Sequence, residues 1–155
     1  MLDRFIPPRA ADAALLVARI GVGVVFIAHG WQKLSGGGIG GTAKAFTMMG
    51  VPAPTISAAY AIVVEILGGA ALVLGVAVPL AGLLLFLDMA GAFLTVHVGN
   101  GLFVDKGGFE LVLVLGVASL LLAGAGSGKF GLDALFAGKR APAETERAER
   151  AAAQG

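Results

Sequence analysis

The stretch Ala13–Leu34, AALLVARIGVGVVFIAHGWQKL, constrains this chain more than any other. As a helix rising about 1.5 Å per residue it is roughly 33 Å long, enough to cross the hydrocarbon core of a bilayer. It is almost wholly apolar, yet it carries Arg19 inside and His29 and Lys33 towards its far end. An arginine within a span costs about 2.5–3.5 kcal/mol on insertion scales, so it should face a protein partner rather than lipid. Arg4 and Arg9 before an apolar run resemble the start of a signal peptide. The run is too long for that, and no small-x-small site closes it, so a retained helix is expected.

Three more apolar runs follow: Ser57–Val76, Leu80–Gly99, and a shorter one from Phe109-Glu110 to Gly124. The last has about 16 residues, just under the usual ~17–25 for a span. With 57% hydrophobic and 14% charged residues and a mean hydropathy of +0.91, the chain is too apolar for a soluble domain. The expected fold class is an all-α membrane protein, a four transmembrane helix bundle in one domain. The net charge of +1 gives no basic face of the kind a nucleic-acid binder needs. There is no cysteine, which removes disulfides, thiolate metal sites and any thiol relay run by the chain alone.

The domain limits follow from these runs: a polar head over 1–12, the four-helix membrane domain over 13–126, and a charged, solvated tail over 127–155. Asp12 is the expected N-cap of the first helix. SGGGIGG after Leu34 should form a flexible loop, and Thr42–Met49 a short amphipathic turn covering the bundle end. Gly21, Gly23, Gly30, Gly68, Gly69 and Gly91 remove bulk where helices can approach. Arg4, Arg9, Lys129, Lys139, Arg140, Arg147 and Arg150 cluster at the two ends, against Lys33, Lys44 and Lys106 in the other loops. The positive-inside rule then places both N and C termini in the cytoplasm.

Counting depth along each helix sorts the polar groups. Arg19 and Asp88 both lie roughly 9–12 Å from the cytoplasmic end, which suggests a structural ion pair. Glu65 is roughly 12 Å below the outer end, also within reach of a long arginine. Near the outer rim stand His29, His97, Glu110, Trp31, Gln32 and Lys33. Histidines with carboxylates can relay protons or hold a metal, but the members come from different helices, and no metal is assigned. His29, Trp31, Lys33, Glu65, His97 and Glu110 are the candidate ligand-binding residues; no catalytic residue is assigned.

Arg19, then His29-Gly30-x-x-Lys33-Leu34, a glycine-rich stretch, MGVPAP at 49–54, Glu65-x-x-Gly68-Gly69, His97 and Gly107-Gly108-x-Glu110 follow one another in an order that resembles the DoxX family. The resemblance covers about Ala13–Gly124. It implies a small bacterial inner-membrane, multi-pass protein associated with membrane oxidoreductases, including quinone-reducing thiosulfate and terminal quinol enzymes, or with sulfurtransferase and superoxide-detoxifying partners. It carries over no catalytic residue, and Asp88 falls outside the matching motif.

The expectation is an integral membrane subunit of an oxidoreductase assembly, quinone- or thiol-linked, with a quinone as the cofactor the resemblance allows. Its partners are the lipid bilayer and soluble or membrane redox enzymes, with no nucleic acid; a homo-oligomer is compatible with the sequence. Two other classes remain open: a small-molecule or proton transporter lined by Arg19, Glu65 and Asp88, and a membrane scaffold whose tail recruits soluble enzymes.

Overall fold

The computed structural model describes residues 7–134. Most of the expected head and of the charged tail lie outside the described residues. Among those described, every regular element is helical. Helix α1 spans Pro8–Ser35 and α2 Gly38–Met48. Helix α3 covers Pro54–Leu74 and α4 Val78–Asn100. Helix α5 covers Glu110–Ala125. The helices α1, α3 and α4 are long and apolar enough to cross a membrane, while α5 is apolar but shorter.

Prolines start these helices where the sequence places them. Pro8 sits in the first turn of α1, where a missing N–H costs nothing and the fixed φ suits a helix. The helix therefore begins ahead of the expected Ala13, and Asp12 lies within it. Its carboxylate does not cap α1; it accepts a hydrogen bond from the Lys129 backbone N–H at 3.2 Å, across the bundle end. The glycine run after Leu34 is not a long loop either. Gly36 and Gly37 make the turn, and α2 begins at Gly38, with Thr42 and Ala43 buried beneath it.

Helix α1 packs against α3 through two glycines in direct contact. A Cβ on Gly23 would lie 2.6 Å from the Gly69 carbonyl oxygen, and one on Gly69 would lie 2.7 Å from that of Gly23. Helix α4 packs on α5 in the same way, with Gly82 against the Ser119 carbonyl oxygen and Ala123. Small residues let helix backbones approach where lipid offers no competing hydrophobic drive. Gly21 and Gly91, expected to act likewise, face open space. Phe26, Leu72, Val78, Leu85, Met89, Leu115 and Leu122 fill the core between these seams. Val17, Val24, Leu67, Leu83, Leu94, Val114 and Leu121 form an apolar outer surface of the kind lipid covers.

Past α5 the chain folds back along the bundle rather than leaving as a solvated tail at residue 127. The Asp133 carboxylate accepts the backbone N–H groups of Ala77 and Val78 at 2.8 and 3.2 Å, and its own N–H donates to the Gly75 carbonyl at 2.9 Å. Ala77 takes a left-handed φ of 46° just before α4. Such a conformation costs a non-glycine residue roughly 1–2 kcal/mol, which the carboxylate cap helps to offset.

Candidate functional site

A chamber of about 450 Å³ opens among α1, α3, α4 and α5, beneath α2 and the Val51-Pro52 segment. Its walls are mostly apolar: Phe26, Phe46, Met49, Met89, Val112 and Leu115 all line it. Within them stands a cluster of three charged side chains. Lys33, from the last turns of α1, donates to both carboxylate oxygens of Glu65 at 2.6 and 2.8 Å. Asp88 of α4 adjoins Glu65, and both it and Lys33 line the same chamber. The Glu65 side chain is 4% exposed and that of Lys33 24%, so this pair is largely out of water. Two carboxyls against one ammonium leave the cluster a charge of −1 when all are ionised, and neutral when the carboxyls hold one proton between them. The arrangement can therefore offer a hydrogen-bond donor and exchange a proton in the same small space.

Each of α3 and α4 is interrupted where it meets the chamber. Val64–Gly68 forms a π-helical turn that carries Glu65, and Phe93–His97 forms a second that carries Thr95, Val96 and His97. A π turn inserts one residue into the helical register, and such turns are frequent at functional sites. The His97 ring is held through Nδ1, which is 2.7 Å from the Gly107 carbonyl oxygen. Tyr60, which residue types alone did not single out, lines the chamber and donates its hydroxyl to the Leu84 carbonyl at 2.9 Å, tying α3 to α4. The signal for it in the sequence was its being the single tyrosine, five residues before Glu65 in the same apolar run.

The structure brings His29, Lys33, Glu65 and His97 to this chamber, and adds Asp88. It leaves Trp31 and Glu110 out. Trp31 faces outward, 62% exposed. Glu110 closes the preceding loop by accepting the Val104 N–H at 2.7 Å.

The expected Arg19–Asp88 ion pair is not formed. Arg19 is fully buried, and its Nη1 donates to the Leu72 carbonyl at 3.3 Å. Among the described residues Nε and Nη2 have no hydrogen-bond partner, and Asp133 is the carboxylate whose charge reaches the guanidinium. The reason is an overhang. Helix α1 extends beyond the start of α4, so Arg19 lies level with the turn at Gly75, while Asp88 is ten residues, roughly 15 Å, further along α4. Lys33, fourteen residues on from Arg19 and so roughly 21 Å away, is the α1 cation that reaches the carboxylates.

The DoxX family profile matches residues 14–98, from the second turn of α1 to the end of the second π turn. The chain is a member of the DoxX family. The matched span includes His29, Lys33, Glu65, Asp88 and His97, all of the histidines and charged residues that line the chamber. The chain is 31% identical over 134 residues to "Putative oxidoreductase CatD" of Bacillus subtilis (strain 168), covering 85% of this chain and 94% of that one. It is 33% identical over 129 residues to "Inner membrane protein YphA" of Escherichia coli (strain K12), covering 80% and 91%. No solved structure matches the chain. Family membership, the inner-membrane relative and the three long apolar helices together make this a membrane protein.

Proposed function

We propose that this DoxX protein is the integral membrane subunit of an oxidoreductase assembly, and that its chamber takes the head of a quinone. The observation that carries the reading is the Lys33–Glu65–Asp88 cluster inside an apolar chamber of about 450 Å³. That volume falls within the ~300–1,000 Å³ of small-molecule sites, which pair apolar walls with a few convergent polar groups. A quinone supplies two-electron chemistry and takes up two protons on reduction. The Lys33 ammonium offers a donor to a carbonyl oxygen, and the two carboxyls stand where a proton is needed. With no cysteine in the chain, the electrons come from a partner that carries its own redox centre. The relative named as an oxidoreductase supports the same reading. The rival path through Arg19, Glu65 and Asp88 is disfavoured, because Arg19 lies fourteen residues, roughly 21 Å, along α1 from Lys33 and donates to the Leu72 carbonyl instead.

The expected result is saturable binding of decylubiquinone to the purified protein by titration calorimetry in detergent. A charge-assisted hydrogen bond is worth about 1.5–3 kcal/mol, so Lys33→Gln should weaken that binding at least about tenfold. Binding absent in the wild type, or undiminished in the variant, would overturn the quinone reading.

The same proposal includes four spans with both ends cytoplasmic, α5 being the fourth. Lys129 meets Asp12 at one end of the bundle, alongside Arg9. The cluster then lies in the half of the bilayer away from the cytoplasm. Reporter fusions after Gly155 and at Gly40 are expected to give cytoplasmic and external signals respectively. An external signal from Gly155 would sink this topology.

A further inference from the structure

The chamber's polarity runs opposite to that of a site filled from water. Its charged groups, Lys33, Glu65 and Asp88, are inside, whereas none of its well-exposed lining residues is charged. Met49, Val104, Leu87 and Gly91 among them are both chamber-lining and exposed, and the two exposed lining residues with hydroxyls, Tyr60 and Thr95, already donate them to the Leu84 and Gly91 carbonyls. A pocket for a soluble ion or metabolite presents polar groups at its mouth, where the solute sheds water. This margin would instead have to be crossed by apolar surface.

The margin is also interrupted at one place. Tyr60 and Leu84 join α3 to α4, and above that contact the seam carries Leu87 and Gly91 on successive turns of α4. Leu87 is 51% exposed, and a Cβ built on Gly91 would meet nothing within 4 Å. Gly91 thus leaves a gap in the wall between chamber and surroundings. It lies nine residues, roughly 14 Å, before the end of α4 at Asn100, so the gap opens at the depth of the hydrocarbon rather than at the rim.

We infer that the chamber is loaded sideways from the bilayer through the gap at Gly91, and that its ligand is an amphiphile whose polar head meets Lys33 and whose apolar tail leaves between α3 and α4. The inference rests on the chamber being a ligand site and adds to the quinone reading where the molecule enters and why it must carry a tail. A head group alone would leave the seam unfilled. A tail laid past Tyr60 and Leu87 buries methylenes against them and continues into lipid.

Two probes with the same ring separate the parts: decylubiquinone, which has a tail, and ubiquinone-0, which has none. Binding of each is measured by calorimetry for the wild type, Gly91→Leu and Gly91→Trp in the same detergent. The expected result is that Gly91→Trp weakens decylubiquinone by at least about tenfold, the effect of displacing two buried methylenes. Ubiquinone-0 should change by less than about twofold, and Gly91→Leu should fall between. Retained ubiquinone-0 binding also shows that the variants are folded. Equal retention of both probes, or loss of both in both variants, overturns the sideways portal while leaving the quinone reading in place. A wild type that binds neither probe removes the quinone reading itself, and the inference with it.

Discussion

Replacing Lys33 with methionine is expected to lower stability in detergent more than any other single change in the chamber. The substitution keeps the length and the apolar stem, so it removes little packing. It leaves Glu65 and Asp88 facing each other in apolar surroundings with no cation between them. Breaking a buried pair by removing one partner costs on the order of 3–5 kcal/mol, and this site sits toward the lower part of that range because Lys33 is partly exposed. Glu65→Leu should cost less, since Asp88 is already in place to take over the ammonium. The double variant Lys33→Met with Glu65→Leu should lose less than the sum of the two single losses, because the second change removes the charge that the first left stranded. Melting temperatures of the four proteins decide it. Strictly additive losses, or a larger loss for Glu65→Leu than for Lys33→Met, would mean that the cluster does not act as an ion-paired unit.

The apolar runs were legible because a lipid-crossing helix needs length and little else. Ser57–Val76 became Pro54–Leu74, and Leu80–Gly99 became Val78–Asn100, shifts of one to three residues set by prolines at the helix starts. The nearness of His29, Lys33 and His97 to one end was also legible, since counting residues from helix ends gives depth; Glu65, counted deeper and within reach of Arg19, lines the same chamber with them. What counting could not supply was the relative height of the helices. Five further residues of α1 before Ala13, and its overhang beyond the start of α4, moved Arg19 away from Asp88 and brought Lys33 to the neighbouring Glu65. Nor does a 3.6-residue count survive a π turn. Glu65 and His97 each lie in one, so which way they face followed from the backbone and not from the pattern. Asp133 was hidden for a different reason. It belongs to a polar stretch whose composition suits a solvated tail, and only the free N–H groups ahead of α4 make it a structural residue.

Asp133 and Arg19 give the second large effect, at the other end of the bundle. Asp133→Ala removes the acceptor for the first two N–H groups at the start of α4, a loss of about 0.5–2 kcal/mol by analogy with helix N-caps. It also withdraws the carboxylate whose charge reaches Arg19, and leaves the guanidinium fully buried with two nitrogens unpartnered among the described residues. No direct ion pair joins the two, so this second part stays below the roughly 3–5 kcal/mol of a broken buried pair, and the total is expected at about 2–4 kcal/mol. Arg19→Met alone should be close to neutral. A hydrophobic side chain of similar volume removes two unsatisfied donors at the loss of one bond to the Leu72 carbonyl. In the Arg19→Met background, Asp133→Ala should then cost only its capping part. Coupling of about 0.5 kcal/mol or more between the two positions, read from melting of the two single variants and the double, is the expected outcome. Additive losses would confine Asp133 to its role as a cap, and a large loss from Arg19→Met by itself would show that the buried guanidinium holds α1 to the turn at Gly75.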